Sequence, residues 1–159
     1  IAYRGSVADA RGGEFTHQVA GRLQSMGWHA RPEVQMSSLG APKELGDVDV
    51  IAWRPGDRRV LLIECKRLQP AKTPGEIGQL LRQFRGQERD RLGRHLRRLE
   101  WIHDNQRVFT GWLGYEEGEP VLVPMLVTNR LVPMRFLTNM PLTPEQVLHI
   151  DALGSLLDQ

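Results

Sequence analysis

Glu44-Leu45-Gly46-Asp47-Val48-Asp49-Val50-Ile51-Ala52-Trp53, a Pro55-Gly56-Asp57 cluster, and Arg59-Val60-Leu61-Leu62-Ile63-Glu64-Cys65-Lys66 decide how the chain is read. Two β-branched and aliphatic runs around a Pro/Gly/Asp turn predict an antiparallel hairpin. With the turn centred on Gly56 and Asp57, Trp53 faces Val60, Ile51 faces Leu62 and Asp49 faces Glu64. Opposite residues share a face of the sheet, as do residues two apart on one strand. Asp49, Glu64 and Lys66 therefore converge at one end of one face, while Val48, Val50, Ala52, Leu61, Ile63 and Cys65 form an apolar face for helices to cover.

Two carboxylates with Cβ atoms ~5 Å apart repel and raise one another's pKa. A hard divalent cation resolves that conflict. Mg²⁺ takes one or two protein carboxylates and keeps several waters, which leaves room for a phosphate oxygen. Lys66 would reach the same water or phosphate. Cys65 points to the other face as a core residue, with its backbone carbonyl left as a candidate metal ligand beside Asp49 and Glu64.

Gly46-Asp47-Val48-Asp49-Val50-Ile51-Ala52 followed by Leu62-Ile63-Glu64-Cys65-Lys66 resembles the bipartite D…ExK signature of the PD-(D/E)XK, restriction-endonuclease-like, nuclease superfamily. The layout is similar to Holliday junction resolvases and Mrr-type nucleases. ExK alone is common; ExK at the end of a strand, one hairpin after a Gly-Asp-x-Asp strand, is far more specific. The resemblance covers roughly residues 12 to 130. It implies an α/β fold with a mixed sheet of four or five strands flanked by helices in the order helix, three strands, helix, strand. It also implies Mg²⁺- or Mn²⁺-dependent hydrolysis of nucleic-acid phosphodiesters, DNA above all, and a Glu on the first helix that joins the metal site, here Glu14. Many members carry a Gln on the helix after ExK, a place that Gln79 fills, with Gln83 one turn later. The plainer alternative leaves Asp47 and Asp49 solvated on an edge strand and Glu64 with Lys66 as a surface ion pair. Against it, a chain with eighteen Arg and three Lys (43, 66 and 72) places Lys at position 66, and the two cations are not interchangeable.

The 159 residues suit one domain spanning 1–159, and the Ile start is compatible with a larger parent. Hydrophobic residues at 40% and charged residues at 25% are those of an ordinary globular chain. No apolar run reaches membrane-spanning length, no signal segment opens the chain, and the single Cys excludes an internal disulfide. A cytoplasmic setting is expected. The net charge of +2 does not by itself call for nucleic acid. Its distribution is more telling: Arg82, Arg85, Arg89, Arg91, Arg94, Arg97 and Arg98 crowd one segment against Glu88 and Asp90, a charge suited to phosphates. Arg67 and Lys72 on the loop after ExK, with Arg82 and Arg85, are the candidate nucleic-acid contacts. A solvated helix face accounts for the same pattern. A homodimer that cuts both strands is a further expectation.

In chain order, residues 1 to 11 read as an irregular lead-in. Phe15, Val19, Leu23 and Met26 predict a first helix ending at Gly27. Trp28 to Ser37 predicts a strand interrupted by Pro32, and Ser37 to Leu45 a loop. Glu76 to about His103 reads as one helix, or two broken near Gly86 or Gly93. Val121 to Thr128 is a continuous apolar run, the mark of a strand buried on both faces, with Leu131 to Leu137 as a candidate neighbour. Thr143-Pro144-Glu145 opens a closing helix striped by Val147, Leu148, Ile150, Leu153, Leu156 and Leu157. The five His and one Cys supply no zinc spacing, and no phosphate-binding loop or nucleophile elbow is present. Two rivals to a DNA nuclease remain: a non-catalytic nucleic-acid-binding module of the same fold, and an RNase or toxin nuclease domain of a larger defence or mobile-element protein.

Overall fold

The computed structural model describes residues 2–70, 73–87, 90–132 and 140–157. Its centre is a five-stranded mixed sheet in the order β1 (His29–Gln35), β2 (Asp47–Trp53), β3 (Arg59–Lys66), β4 (Val121–Thr128) and β5 (Val147–His149). Strand β2 runs antiparallel to both of its neighbours, β1 and β3, and β3, β4 and β5 run parallel. This is the expected α/β architecture, a mixed sheet flanked by helices. The hairpin register agrees with the one read from its turn: Ile51 pairs with Leu62, and Val50 with Ile63. The crossover from β3 to β4 carries α2 (Pro74–Leu80), α3 (Arg91–Asp104) and α4 (Gln106–Leu113), as a parallel connection requires.

Helix α1 (Ala2–Ser25) covers one face of the sheet. Phe15, Val19, Ala20 and Leu23 pack on Val50, Ala52, Leu61, Ile63 and Cys65, with Leu148 and Leu153 closing the cluster. The other face of β2 and β3, carrying Ile51, Trp53, Val60 and Leu62, is covered by Ile102 of α3 and Phe109 and Leu113 of α4. Each fully buried aliphatic or aromatic side chain contributes roughly 1.5–3 kcal/mol relative to exposure, so the two covered faces fix the hairpin from both sides. Val48 departs from the expected face and joins Ile51 and Leu62 in this second cluster, together with Val34 and the buried Met36 and Leu39 of the next turn.

Three other expectations are corrected. The lead-in 1–11 is helical from Ala2 onward, so α1 runs unbroken through Gly12 and Gly13. Each glycine costs a helix only ~1 kcal/mol, less than the buried stripe beyond them returns. The Glu76–His103 segment takes the second of its two expected forms, two helices broken near Gly86: α2 gives way to a 3-10 turn at Leu81–Phe84, and Gly86 turns at φ 80° before α3 begins. Helix α4 was not foreseen. The closing helix is reduced to Leu153–Leu157 (α5), because Val147–His149 pairs in parallel with Leu126–Thr128 and its backbone groups go to that ladder. Thr143-Pro144-Glu145 opens only a 3-10 turn, in which the Thr143 N–H donates to Gln146 Oε1. Of the proposed neighbour strand Leu131–Leu137, residues 133 to 137 lie outside the described residues. Among the described residues no helix is long and apolar enough to cross a membrane.

Candidate active site

Strand β2 delivers Asp49 and strand β3 delivers Glu64, one pair further along the register that joins Val50 to Ile63. Both carboxylates line a cavity of about 360 Å³ between the C-terminal end of β3, α1 and α3. Asp49 is held by the backbone of the ExK stretch: the Cys65 N–H donates to its Oδ2 at 2.8 Å. Glu64 is 6% exposed. Burial, and then the charge of Asp49, push its carboxyl up to about 8, while Arg98 and Arg91 pull the other way. Burial likewise raises Asp49. Without a cation, the pair therefore holds a proton near neutral pH.

Two residues of α3 face Glu64. Arg98, buried to 12% side-chain exposure, stands with Nη1 3.7 Å from Glu64 Oε2, and its Nε donates to the Leu45 carbonyl. Gly46, at φ 68°, lies against the same guanidinium, where a Cβ would come within 3.3 Å of Nη2. His95 is fully enclosed. Its Nε2 donates to the Leu62 carbonyl at 2.9 Å, which fixes the neutral tautomer with Nδ1 as an acceptor, 3.8 Å from Glu64 Oε2 and without a hydrogen-bond partner. Burial pushes the His95 imidazole down to about 4. Lys66 is half-buried. Burial lowers its ammonium, with Arg91 adding to the effect and Glu64 opposing it; it feels the carboxylates electrostatically but is not among the residues that line the cavity.

The remaining candidates scatter. Glu14 is exposed on α1 and does not line the cavity, where Gly13 and Thr16 stand instead; a residue one step round the helix from the buried Phe15 is turned to solvent. Gln79, Arg67, Arg82 and Arg85 are exposed and outside the cavity lining; the break after α2 separates Gln79, Arg82 and Arg85 from α3. Lys72 lies outside the described residues. The Cys65 thiol points into the α1 cluster, and burial pushes it well above its ordinary value. Among the described residues, no three His, Cys, Asp or Glu side chains gather in a metal-holding group. Two carboxylates that repel each other nonetheless fit a cation that keeps most of its waters.

The cavity also holds residues that sequence reasoning did not single out as a site. Arg91, Arg94 and Arg98 line it from α3, and Glu33 and Asp47 from the strands. Glu33 follows Pro32 on edge strand β1, has φ 52°, and its Oε2 is 3.3 Å from His17 Nε2. The spacing of the three arginines, three and then four apart, was readable as a single helix face. Nothing local marks Glu33.

A family model described as "Anti-phage protein Upx-like" matches residues 4–153. The chain belongs to the anti-phage protein Upx-like family. No match was found among the curated proteins or the solved structures. The match spans α1 through the start of α5, so all of the cavity's residues fall inside the family's extent.

Proposed function

We propose that this Upx-like protein is a metal-dependent nuclease that hydrolyses phosphodiester bonds of nucleic acid, DNA first, in defence against phage. The observation that carries this reading is the register of the hairpin. It sets Asp49 beside Glu64 at one end of the sheet, with Lys66 one pleat further on. Asp49 and Glu64, with the Cys65 carbonyl, would hold Mg²⁺ or Mn²⁺. Such an ion lowers the pKa of a water and stabilises the negative charge that grows at phosphorus. Lys66 orients the attacking water or neutralises the developing charge, and its lowered pKa leaves it readier to give up a proton there. Arg98 balances part of the carboxylate charge and holds the Leu45–Gly46 turn against the site. Arg67, Arg82 and Arg85 are exposed and free to meet phosphates beyond the cavity. The family's anti-phage description suits an activity that destroys nucleic acid.

Arg98 also supports a second reading. A built-in guanidinium 3.7 Å from Glu64 supplies positive charge without any metal, as in a binding module that keeps the fold and does not cut. Incubating the purified chain with supercoiled plasmid, single-stranded DNA and RNA, in Mg²⁺, Mn²⁺ or EDTA, separates the two. The nuclease reading expects metal-dependent cutting that is lost in Asp49→Ala and Lys66→Ala. Salt-sensitive binding with no cutting in any lane selects the binding module.

A further inference from the structure

The cavity is chemically two-sided. Its sheet side carries Glu33, Asp47, Asp49 and Glu64, and its helix side carries Arg91, Arg94 and Arg98. In so small a space, pairing of every arginine with a carboxylate would be expected, since opposite charges within ~4 Å attract strongly away from bulk water. Only Arg98 pairs, with Glu64. Arg91 and Arg94 are exposed and make no hydrogen bond or ion pair with a described residue, although Arg91 acts electrostatically on Asp49, Glu64 and Lys66 together.

The place of these two arginines is fixed by packing. Asp90 caps α3, its Oδ1 accepting from Gly93 N–H at 2.6 Å and its Oδ2 from Gln87 N–H at 2.7 Å. A Cβ on Gly93 would lie 1.9 Å from the Gln87 carbonyl oxygen, so only glycine lets the turn close on the helix. His95 then ties α3 to β3 through the Leu62 carbonyl. Leu92, His95 and Ile102 take the buried side, and residues 91, 94 and 98 fall on one flank of the helix.

We propose that Arg91 and Arg94 form a phosphate clamp that seats the backbone of a nucleic-acid strand over Asp49 and Glu64. The carboxylate side calls for a cation and the free guanidiniums call for an anion. A phosphodiester answers both, since guanidinium N–H groups match its anionic oxygens and its charge draws cations towards the acids. Arg98, tied to Leu45 and Glu64, is a positioning residue and not part of the clamp. This assignment rests on the nucleic-acid part of the proposed function, and not on cleavage.

The test is binding of a 5′-fluorescein-labelled 12-nucleotide oligo(dT) in EDTA, followed by anisotropy over a range of salt, where no cutting takes place. Wild type is expected to bind with a steep salt dependence. Arg91→Ala/Arg94→Ala is expected to bind about tenfold more weakly, with a log–log salt slope shallower by about 1.4, two phosphate contacts at roughly 0.7 each. Arg91→Lys/Arg94→Lys should recover most of the slope. Arg22→Ala/Arg107→Ala, which removes the same two charges elsewhere, should stay within twofold of wild type. Inorganic phosphate at matched ionic strength should compete weakly, because a strand offers several phosphates. An unchanged affinity and slope in the Arg91/Arg94 variant overturns the clamp, as does equal weakening in the Arg22/Arg107 variant or no binding by wild type. A clamp that passes in a protein that never cuts leaves the clamp standing and removes the nuclease reading.

Discussion

Glu64→Gln should stabilise this protein at mildly alkaline pH while removing the metal-dependent cleavage proposed for it. Glu64 titrates near 4.5 when solvated and at about 8 in the folded chain, through burial and then the charge of Asp49. Between those values the folded state keeps a proton that the unfolded chain has released, so stability falls as pH rises, by ~1.4 kcal/mol per pH unit. His95 works against this at lower pH. Burial takes its imidazole from 6.5 down to about 4, so its contribution to stability grows as pH rises from 4 to 6.5. The two slopes cancel over much of that range. Of these two groups only Glu64 contributes above pH 6.5, and the interval to pH 8 amounts to about 2 kcal/mol. Urea unfolding in EDTA should therefore show wild type losing about 2 kcal/mol between pH 6.5 and 8, with Glu64→Gln flat across the same range. Adding Mg²⁺ should return stability to wild type at pH 8 by mass action and leave the variant unmoved. A wild-type curve that is level or rising above pH 6.5, or a Gln variant with the same fall, would refute the reasoning that Glu64 is a buried acid held beside a second acid.

Gly93→Ala should lower stability by at least ~2 kcal/mol, because its Cβ meets the Gln87 carbonyl at 1.9 Å; a melting temperature within a degree of wild type would contradict the packing. Asp57 accepts from Arg54 Nε at 2.9 Å and from Arg59 Nη2 at 2.8 Å, and the Arg59 guanidinium holds its carboxyl far below the ordinary range. Asp57→Ala should cost about 2 kcal/mol at pH 7, and the difference from wild type should shrink as pH falls below about 4, since a depressed carboxylate gives up its stabilisation there. Glu33→Gly should leave stability unchanged or raise it by up to ~1 kcal/mol by relieving a left-handed residue in a strand. Its exposed pair with His17 adds little, so a loss beyond 1 kcal/mol on thermal melting would count against strain at Glu33.

Much of this fold was legible because its strongest signals are local. The Pro55-Gly56-Asp57 turn fixed the hairpin register, and the run Val121–Thr128 coincides with β4, although only its second half, Met125 to Thr128, is buried and Val121 is exposed. Helix α4 escaped because only Phe109 and Leu113 of its eight residues are buried, too short a stripe to separate from a loop. Strand β5 escaped because Thr143-Pro144-Glu145 has the chemistry of a helix start, and only the partner strand β4, some twenty residues earlier in the chain, diverts the segment into the sheet. The acidic pair was legible for the same reason as the hairpin. The arginines that face it were visible as charge but not as a site, since their placement depends on the turn in which Gln87 and Asp90 close on Gly93.

That turn explains why the charge divides as it does. Arg82 and Arg85 precede it and are left outside the cavity; Arg91, Arg94 and Arg98 follow it and are brought over β3. Within the second group burial divides the work again. Arg98, enclosed and bonded to Leu45, is faced by the carboxyls of Glu64, Asp49 and Asp47 together; Arg91 and Arg94 are exposed, which on the proposed reading leaves them to a phosphate. The same logic applies on the acidic side. Asp49 has a backbone N–H from Cys65 to hold it and Glu64 has Arg98, yet burial keeps both carboxyls raised, with the charge of Asp49 adding to the effect at Glu64. On the proposed reading, a cation held by the two buried acids and a phosphate met by Arg91 and Arg94 would each supply the charge that the opposite wall of the cavity lacks.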